Sequence, residues 1–177
     1  MHAIRALILP FLLSLVASTA QAGPVRCTEE DGGGACVWGR AEGFEADAVQ
    51  VRGLKVQLIG IAAPGYRDLC GSTTGKGEFA CARPARKRMA ELLAKGVACD
   101  LYDVSGGTLF GRCRVAEGDL GRLLVASGVA RATKDGPYEA DQAAALAARK
   151  GLWSADVRPP KDWAKEWETQ RRKAERD

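Results

Sequence analysis

The chain has 177 residues, of which 46% are hydrophobic and 27% charged, and its formal net charge is +4. This composition is typical of one compact domain, and it excludes a disordered protein and a membrane protein with several spans. The one histidine in the sequence is His2, within an N-terminal segment that we expect to be removed. A mature chain without imidazole excludes Ser-His and Cys-His catalysis, His-ligated zinc and a histidine general base.

Residues 1–22 have the pattern of a secretory signal peptide. Arg5 supplies a positive charge, residues 6–16 form an apolar run, and a small-x-small cleavage site ends at Ala22. Cleavage there would remove 22 of the 177 residues and leave 155 with a net charge of +3, because Arg5 is the one charged residue lost. The alternative, a retained membrane anchor, needs about 20 apolar residues, more than the run contains. We therefore expect a periplasmic or secreted monomer without a membrane span.

The six cysteines all lie in the predicted mature chain, and an even number in an exported protein indicates disulfides. Six cysteines permit 15 connectivities, but these six fall into three pairs of near neighbours. We predict one bridge within each pair, namely Cys27–Cys36, Cys70–Cys81 and Cys99–Cys113. Each bridge would stabilise the fold by about 2–4 kcal/mol. The alternative, a redox or metal site built on cysteine, is disfavoured because the chain has no C-x-x-C motif.

The first half of the mature chain predicts an arm, a hairpin and a loop. Residues 23–35 are rich in glycine and polar residues, so they predict an irregular arm that the first disulfide pins to the first strand. Valines alternate with polar residues from Val49, Arg52-Gly53 is a turn, and a strongly apolar second strand ends at Pro64. Residues 65–82 contain several glycines and predict a long loop braced by the second disulfide.

The second half predicts three helices and two strands. The first helix has Pro84 at its start and Gly96 after its end, and Asp119 is a candidate N-cap for the second. The predicted elements are a helix over 84–95, strands over 97–102 and 109–115, and helices over 119–128 and 138–150. Their order predicts a mainly β protein with helices (α+β), in which a small closed barrel carries the helices.

These motifs, in this order, resemble the staphylococcal-nuclease (thermonuclease) family. The resemblance covers residues 36–160 and rests on the order and spacing of several short pieces: Asp47, the strand 56–64, the loop between Cys70 and Cys81, Cys99 with Cys113, Asp119-Leu120, and Gly151-Leu152-Trp153. It implies a five-stranded OB-fold barrel with about three helices, and a calcium-dependent phosphodiesterase acting on DNA or RNA. Residues 161–177 mix basic and acidic side chains and predict a charged helix or tail outside this domain.

The resemblance also identifies substituted catalytic positions. Asp47 keeps one metal-binding carboxylate of the motif before the first hairpin, although an aspartate there is also a common turn or cap residue. In the next motif, Gln57 stands where the family has a phosphate-binding arginine. Ala62 stands where it has a calcium-binding aspartate, and Gly65 where it has the general-base glutamate.

The family has a further catalytic arginine on the strand that carries the second cysteine of the Cys99–Cys113 pair. Two alignments of this sequence with that motif are possible. Matching Phe110-Gly111-Arg112 to the family motif keeps an arginine, Arg112, but requires a deletion before the Asp119 helix. The register without gaps puts Thr108 at the arginine position. We favour Thr108, because a barrel strand leaves little room for a deletion.

Together these substitutions predict a catalytically impaired member of the family. Removing one transition-state donor costs about 2.7–4 kcal/mol, and here an arginine, a metal ligand and the base are all replaced. We therefore expect no cofactor, and Ca²⁺ only if some activity survives. The alternative is a weak or re-equipped nuclease that uses Asp47 with Arg112 and a loop carboxylate such as Asp68.

The basic residues of the first helix are candidate nucleic-acid contacts, because several cations along one element can track a phosphate backbone. They are Arg83, Arg86 and Lys87. A charged outer face is also what any surface helix needs, so the pattern alone leaves both interpretations open. We expect a binding module for nucleic acid, with an envelope protein as the alternative partner.

Overall fold

The structure is a computed structural model that describes residues 25–28, 34–75 and 77–160. The predicted signal peptide, the middle of the N-terminal arm and the charged segment 161–177 lie outside these residues. The strands are β1 (Cys36–Gly39), β2 (Ala41–Glu45), β3 (Ala48–Val51), β4 (Leu54–Leu58), β5 (Ile61–Ala62), β6 (Leu69–Ser72), β7 (Glu78–Ala80), β8 (Val97–Ser105), β9 (Thr108–Val115), β10 (Gly118–Asp119), β11 (Arg131–Ala132) and β12 (Val157–Arg158). The helices are α1 (Ala82–Leu93), α2 (Leu120–Ala126) and α3 (Glu139–Ala147), followed by a 3₁₀ turn at Gly151–Trp153.

The main sheet has the strand order β1-β8-β9-β4-β3-β2, with β10 added on β9. Neighbouring strands are antiparallel except β4 and β9, which are parallel. The protein is therefore a mixed α+β fold made mostly of strands with three helices, as predicted. The hydrogen-bonded ladder is open, with β1 and β2 at its two edges, although only Arg40 separates these strands in the chain.

The core lies between this sheet and the helices. Alternating residues of β3 and β4 point inward, and Val49, Val51 and Val56 are fully buried. Helix α1 packs on β2 so closely that a Cβ added at Gly43 would lie 3.0 Å from the Met89 Cγ. A second, smaller cluster forms around Trp153, which packs with the end of α3 and the Cys70–Cys81 disulfide.

All three disulfides join the predicted partners. Cys99 and Cys113 are directly opposite each other in the β8–β9 register, and both are buried. Cys70 and Cys81 are also fully buried, whereas Cys27 and Cys36 are half-buried where the arm meets β1. Three disulfides indicate an extracellular or otherwise oxidising compartment.

Two sequence expectations are wrong in detail. Residues 65–82 are not one long loop, because β6 and β7 form a hairpin there and β12 adds to its other edge. The second strand of the first hairpin ends at Leu58 rather than continuing to Pro64. Gly60, with a φ of 82°, turns the chain, and β5 then pairs with β11 in a separate ladder. Glycine adopts this left-handed conformation without strain.

The three helices lie where the sequence predicts them, with small shifts at their ends. Helix α1 begins two residues before Pro84. Asp119 caps α2, since its Oδ1 accepts a hydrogen bond from the Arg122 N–H at 2.7 Å. Helix α3 ends at Ala147, before the predicted stop at Gly151. In the described part of the chain, no helix is long and apolar enough to cross a bilayer.

Candidate functional site

Asp47 lies in the turn between β2 and β3 and lines a cavity of about 220 Å³. Its Oδ2 accepts a hydrogen bond from the Ala63 N–H at 3.3 Å, which ties the turn to the segment after β5. Tyr66 of that segment and Arg86 of α1 line the same cavity. The sequence gives no hint that Arg86 and Asp47 share a site, because they belong to different elements far apart in the chain.

The three positions at which the resemblance implies substituted catalytic residues have structural roles. Gln57 donates from Nε2 to the main-chain carbonyl of Asp47 at 3.1 Å. Ala62 lies in β5, within the ladder to β11. Gly65 donates its N–H to Asp68 Oδ2 at 2.7 Å, and the Asp68 N–H donates back to the Gly65 carbonyl at 3.1 Å. Asp68, a candidate replacement carboxylate, is therefore engaged in a local turn.

The oxygen donors at Asp47 do not fit a calcium ion. Calcium takes six to eight oxygen ligands, usually several carboxylates among them. The second carboxylate lining this cavity is Glu45, whose Oε1 lies 3.4 Å from Lys55 Nζ. Across residues 25–28, 34–75 and 77–160, no three side chains of His, Cys, Asp or Glu form a group that could hold a metal ion. Among the described residues, the site implied by the resemblance therefore lacks the carboxylates that calcium needs.

Arg112 and Thr108 both lie on β9, and neither lines the cavity at Asp47. The Arg112 side chain is exposed, and its guanidinium carbon lies 5.9 Å from the centroid of the Tyr102 ring. Thr108 is opposite Ser105 at the end of the β8–β9 hairpin. The residue of β9 that stands beside Gln57 in the sheet is Phe110. Neither register therefore places its β9 residue among those that line this cavity.

The three basic candidates on α1 converge on one groove between this helix and β2. Arg83, Arg86 and Lys87 line a cavity of about 540 Å³ together with Gly43 and Ala90, and we call it the basic groove. Their spacing places them on one face of the helix. Within the described residues none of the three forms an ion pair, whereas Arg88 on the same helix lies 3.2 Å from Glu91.

Tyr66 is the functional candidate that sequence reasoning missed. Its side chain is 75% exposed, and the Arg86 guanidinium carbon lies 5.3 Å from its ring centroid, within cation–π range. Tyr66 and Arg86 line both the basic groove and the cavity at Asp47. The only sequence signal is a lone aromatic residue in a polar segment after Pro64, and no periodicity connects it to the helix.

A scan against protein-family models finds no match to this chain, and a search of curated proteins finds none either.

Proposed function

We propose that this chain is an exported, nuclease-like OB-fold protein, periplasmic or secreted, that binds single-stranded nucleic acid in the basic groove and has lost most hydrolytic activity. The observation that carries the binding proposal is the convergence of Arg83, Arg86 and Lys87 with the exposed ring of Tyr66 on one groove. Cations along a groove contact phosphates, and an exposed aromatic ring stacks on a base, which is how OB-type proteins bind single strands.

The arrangement of the strands at the two edges of the main sheet is the evidence that favours a barrel. Strand β1 pairs with β8 at one edge and β2 with β3 at the other, while the chain passes from β1 to β2 through Arg40 alone. A single strand interrupted at one residue would thus join both edges and close the sheet through the chain. Counting β1 and β2 as one strand gives five strands along the path, as in the OB fold.

Loss of hydrolysis is supported by the surroundings of Asp47. Its carboxylate accepts from a main-chain N–H, Glu45 is near Lys55, and Gln57 occupies the family's arginine position. Each missing electrostatic contact to the transition state costs about 2.7–4 kcal/mol, or 10²–10³ in rate. We therefore propose that the protein binds nucleic acid but hydrolyses phosphodiester bonds inefficiently.

The binding proposal is tested by fluorescence anisotropy with a labelled oligothymidylate at several salt concentrations. We expect log Kd to change with log salt with a slope of about 2, because each phosphate contact to a single strand contributes about 0.7. Arg83→Ala/Lys87→Ala should lower this slope by about 1.4. Lys150→Ala is the matched control, since Lys150 is exposed but does not line the groove. Salt-independent binding, or no binding, would contradict the proposal and favour an envelope-protein partner.

A second candidate, a re-equipped nuclease, is favoured by Arg86 and Asp47 lining the same cavity. In that case Arg86, rather than Arg112, supplies the guanidinium that stabilises the phosphate in the transition state. The discriminating measurement is cleavage of single-stranded DNA with and without calcium by the protein and its Arg86→Ala variant. Cleavage that depends on Arg86 supports the nuclease, and its absence in both proteins supports the binding module.

A further inference from the structure

We infer that the bound strand does not end in the basic groove but continues along α1 into a second, larger cavity, and that the disulfide-tethered arm completes this path with Arg26. This inference rests on the proposed function, and it adds the length of the site and the residues at its far end. The second cavity has a volume of about 720 Å³ and is lined by Arg40, Glu42 and Arg52 among others. We call it the distal groove.

The two grooves are adjacent, because they share lining residues. Gly43 of β2 and Ala90 of α1 line both of them. Along α1, the lining residues Arg83, Lys87, Ala90 and Ala94 follow one another at intervals of three or four, so they form one face of the helix. The two alanines have small side chains, so no long side chain of α1 stands between the grooves.

Positive charge continues along this path. Arg40 and Arg52 are exposed and line the distal groove. Among the described residues that line the two grooves, Glu42 is the one carboxylate. A path with five cations and one anion favours a polyanion that extends along the helix.

Trp38 contacts two guanidinium groups, one of which belongs to Arg52, a residue that lines the distal groove. The Arg52 guanidinium carbon lies 4.7 Å from the Trp38 ring centroid, and that of Arg26 lies 5.0 Å away. Arg52 reaches the indole across Gly39, where an added Cβ would lie 3.4 Å from the Arg52 Nε. A cation–π contact fixes a guanidinium while leaving its N–H groups able to bind phosphate.

Arg26 belongs to the arm and reaches Trp38 because the arm is tethered. The disulfide Cys27–Cys36 joins the residue after Arg26 to the start of β1. The main-chain carbonyl of Arg26 also accepts a hydrogen bond from Arg114 Nη2 at 3.2 Å. The disulfide therefore does more than restrict the unfolded chain, since it holds Arg26 against the same indole that Arg52 of the distal groove contacts.

The dimensions favour a single strand. Cavities of several hundred Å³ accommodate a ligand of roughly one or two nucleotides each. Two such grooves in series, with phosphate contacts at Trp38, fall in the lower part of the range of about 4–16 nucleotides bound per OB fold. We expect a short oligonucleotide to occupy the basic groove alone and a longer one to reach Arg26.

The test compares oligothymidylates of about two and about twelve nucleotides, because the basic groove alone accommodates about two. We expect the longer one to bind more tightly and with a salt slope steeper by about 1.4–2, since two or three further phosphates are contacted. Arg40→Ala/Arg52→Asn should weaken binding of the longer oligonucleotide by about tenfold and leave the shorter one unchanged. Arg52 is replaced by asparagine rather than alanine because the φ of Arg52 is 50°, and asparagine tolerates this left-handed conformation.

Arg26→Ala tests the arm without altering the turn, and we expect a smaller loss, about threefold, confined to the longer oligonucleotide. Lys150→Ala is again the matched control, and thermal unfolding followed by circular dichroism checks that each variant is folded. If the unaltered protein binds neither oligonucleotide, the proposed function fails. If it binds both, but the Arg40/Arg52 variant binds the longer one as tightly as before, the extended path is wrong and the basic groove stands.

Discussion

The guanidinium carbon of Arg86 lies 5.3 Å from the centroid of the Tyr66 ring, and these two residues line both the basic groove and the cavity at Asp47. Arg86 is fixed on a helix and Tyr66 follows a buried proline, Pro64, by two residues. The contact thus holds an exposed aromatic ring beside a cation that forms no ion pair with the described residues, the combination that binds a base and its phosphate.

Tyr66→Ala should weaken binding of a short oligothymidylate by about 1–3 kcal/mol, because base–aromatic stacking contributes about that much per base. Tyr66→Phe keeps the ring and should bind nearly as the unaltered protein does. Fluorescence anisotropy at one low salt concentration measures both. Equal losses in the two variants would mean that the hydroxyl, rather than the ring, makes the contact.

Tyr138→Phe should destabilise the fold by about 1–2 kcal/mol in urea unfolding at neutral pH. The Tyr138 hydroxyl donates to Asp119 Oδ2 at 3.0 Å, and Asp119 Oδ1 caps α2, so one carboxylate joins α2 to the start of α3. Removing the hydroxyl leaves Oδ2 without this donor. Arg122→Ala is a comparison that keeps both hydrogen bonds, because Arg122 donates from its main chain.

The stability of the unaltered protein should fall above about pH 10, and Tyr138 should contribute to the fall. Burial, together with the nearby carboxylate of Asp119, raises the pKa of Tyr138 well above its usual range. The unfolded tyrosine releases its proton near pH 10 while the folded one retains it, so ionisation favours the unfolded chain as pH rises. Urea unfolding at several alkaline pH values should show a shallower decline for Tyr138→Phe. An identical decline in both proteins would contradict this assignment.

Gly121→Ala should destabilise the protein by about 1–3 kcal/mol, although alanine is the better helix former. A Cβ at Gly121 would lie 2.9 Å from the Tyr138 Cε2, within the buried contact between α2 and the start of α3. Gly75→Ala is the matched control, because its Cβ would meet the Ser72 Oγ at an ordinary distance of 3.5 Å. Thermal unfolding of both variants is the measurement, and a more stable Gly121 variant would contradict the packing described.

The three disulfides should contribute unequally. Cys70→Ala/Cys81→Ala opens a bridge that is fully buried beside Trp153, and we expect a loss of about 2–4 kcal/mol. Cys27→Ser/Cys36→Ser releases the arm at its half-buried attachment and should cost less in stability while weakening binding of the longer oligonucleotide. Urea unfolding and anisotropy together separate the two effects. Equal losses of stability would show that the arm contributes to the core.

Features that depend on a few neighbouring residues were predictable. The three disulfide pairs, the Arg52-Gly53 turn and the Asp119 cap follow from local spacing and backbone preference, and the structure contains each of them. The β6–β7 hairpin was not predictable from the same signals, because its strands are only four and three residues long. Strand β12, which is distant in the sequence, pairs with β6.

The sequence by itself determined where the three helices lie, the disulfide partners and the residues that carry positive charge on α1. It left open whether those cations were a solvated face or part of a groove. Tertiary structure decided this, because α1 packs on β2 where Gly43 admits Met89, and that approach brings Arg86 to Tyr66 and to the cavity at Asp47. Short-range preferences favour particular backbone dihedrals. A binding surface depends instead on which faces of distant elements pack together, and local sequence patterns do not predict that packing.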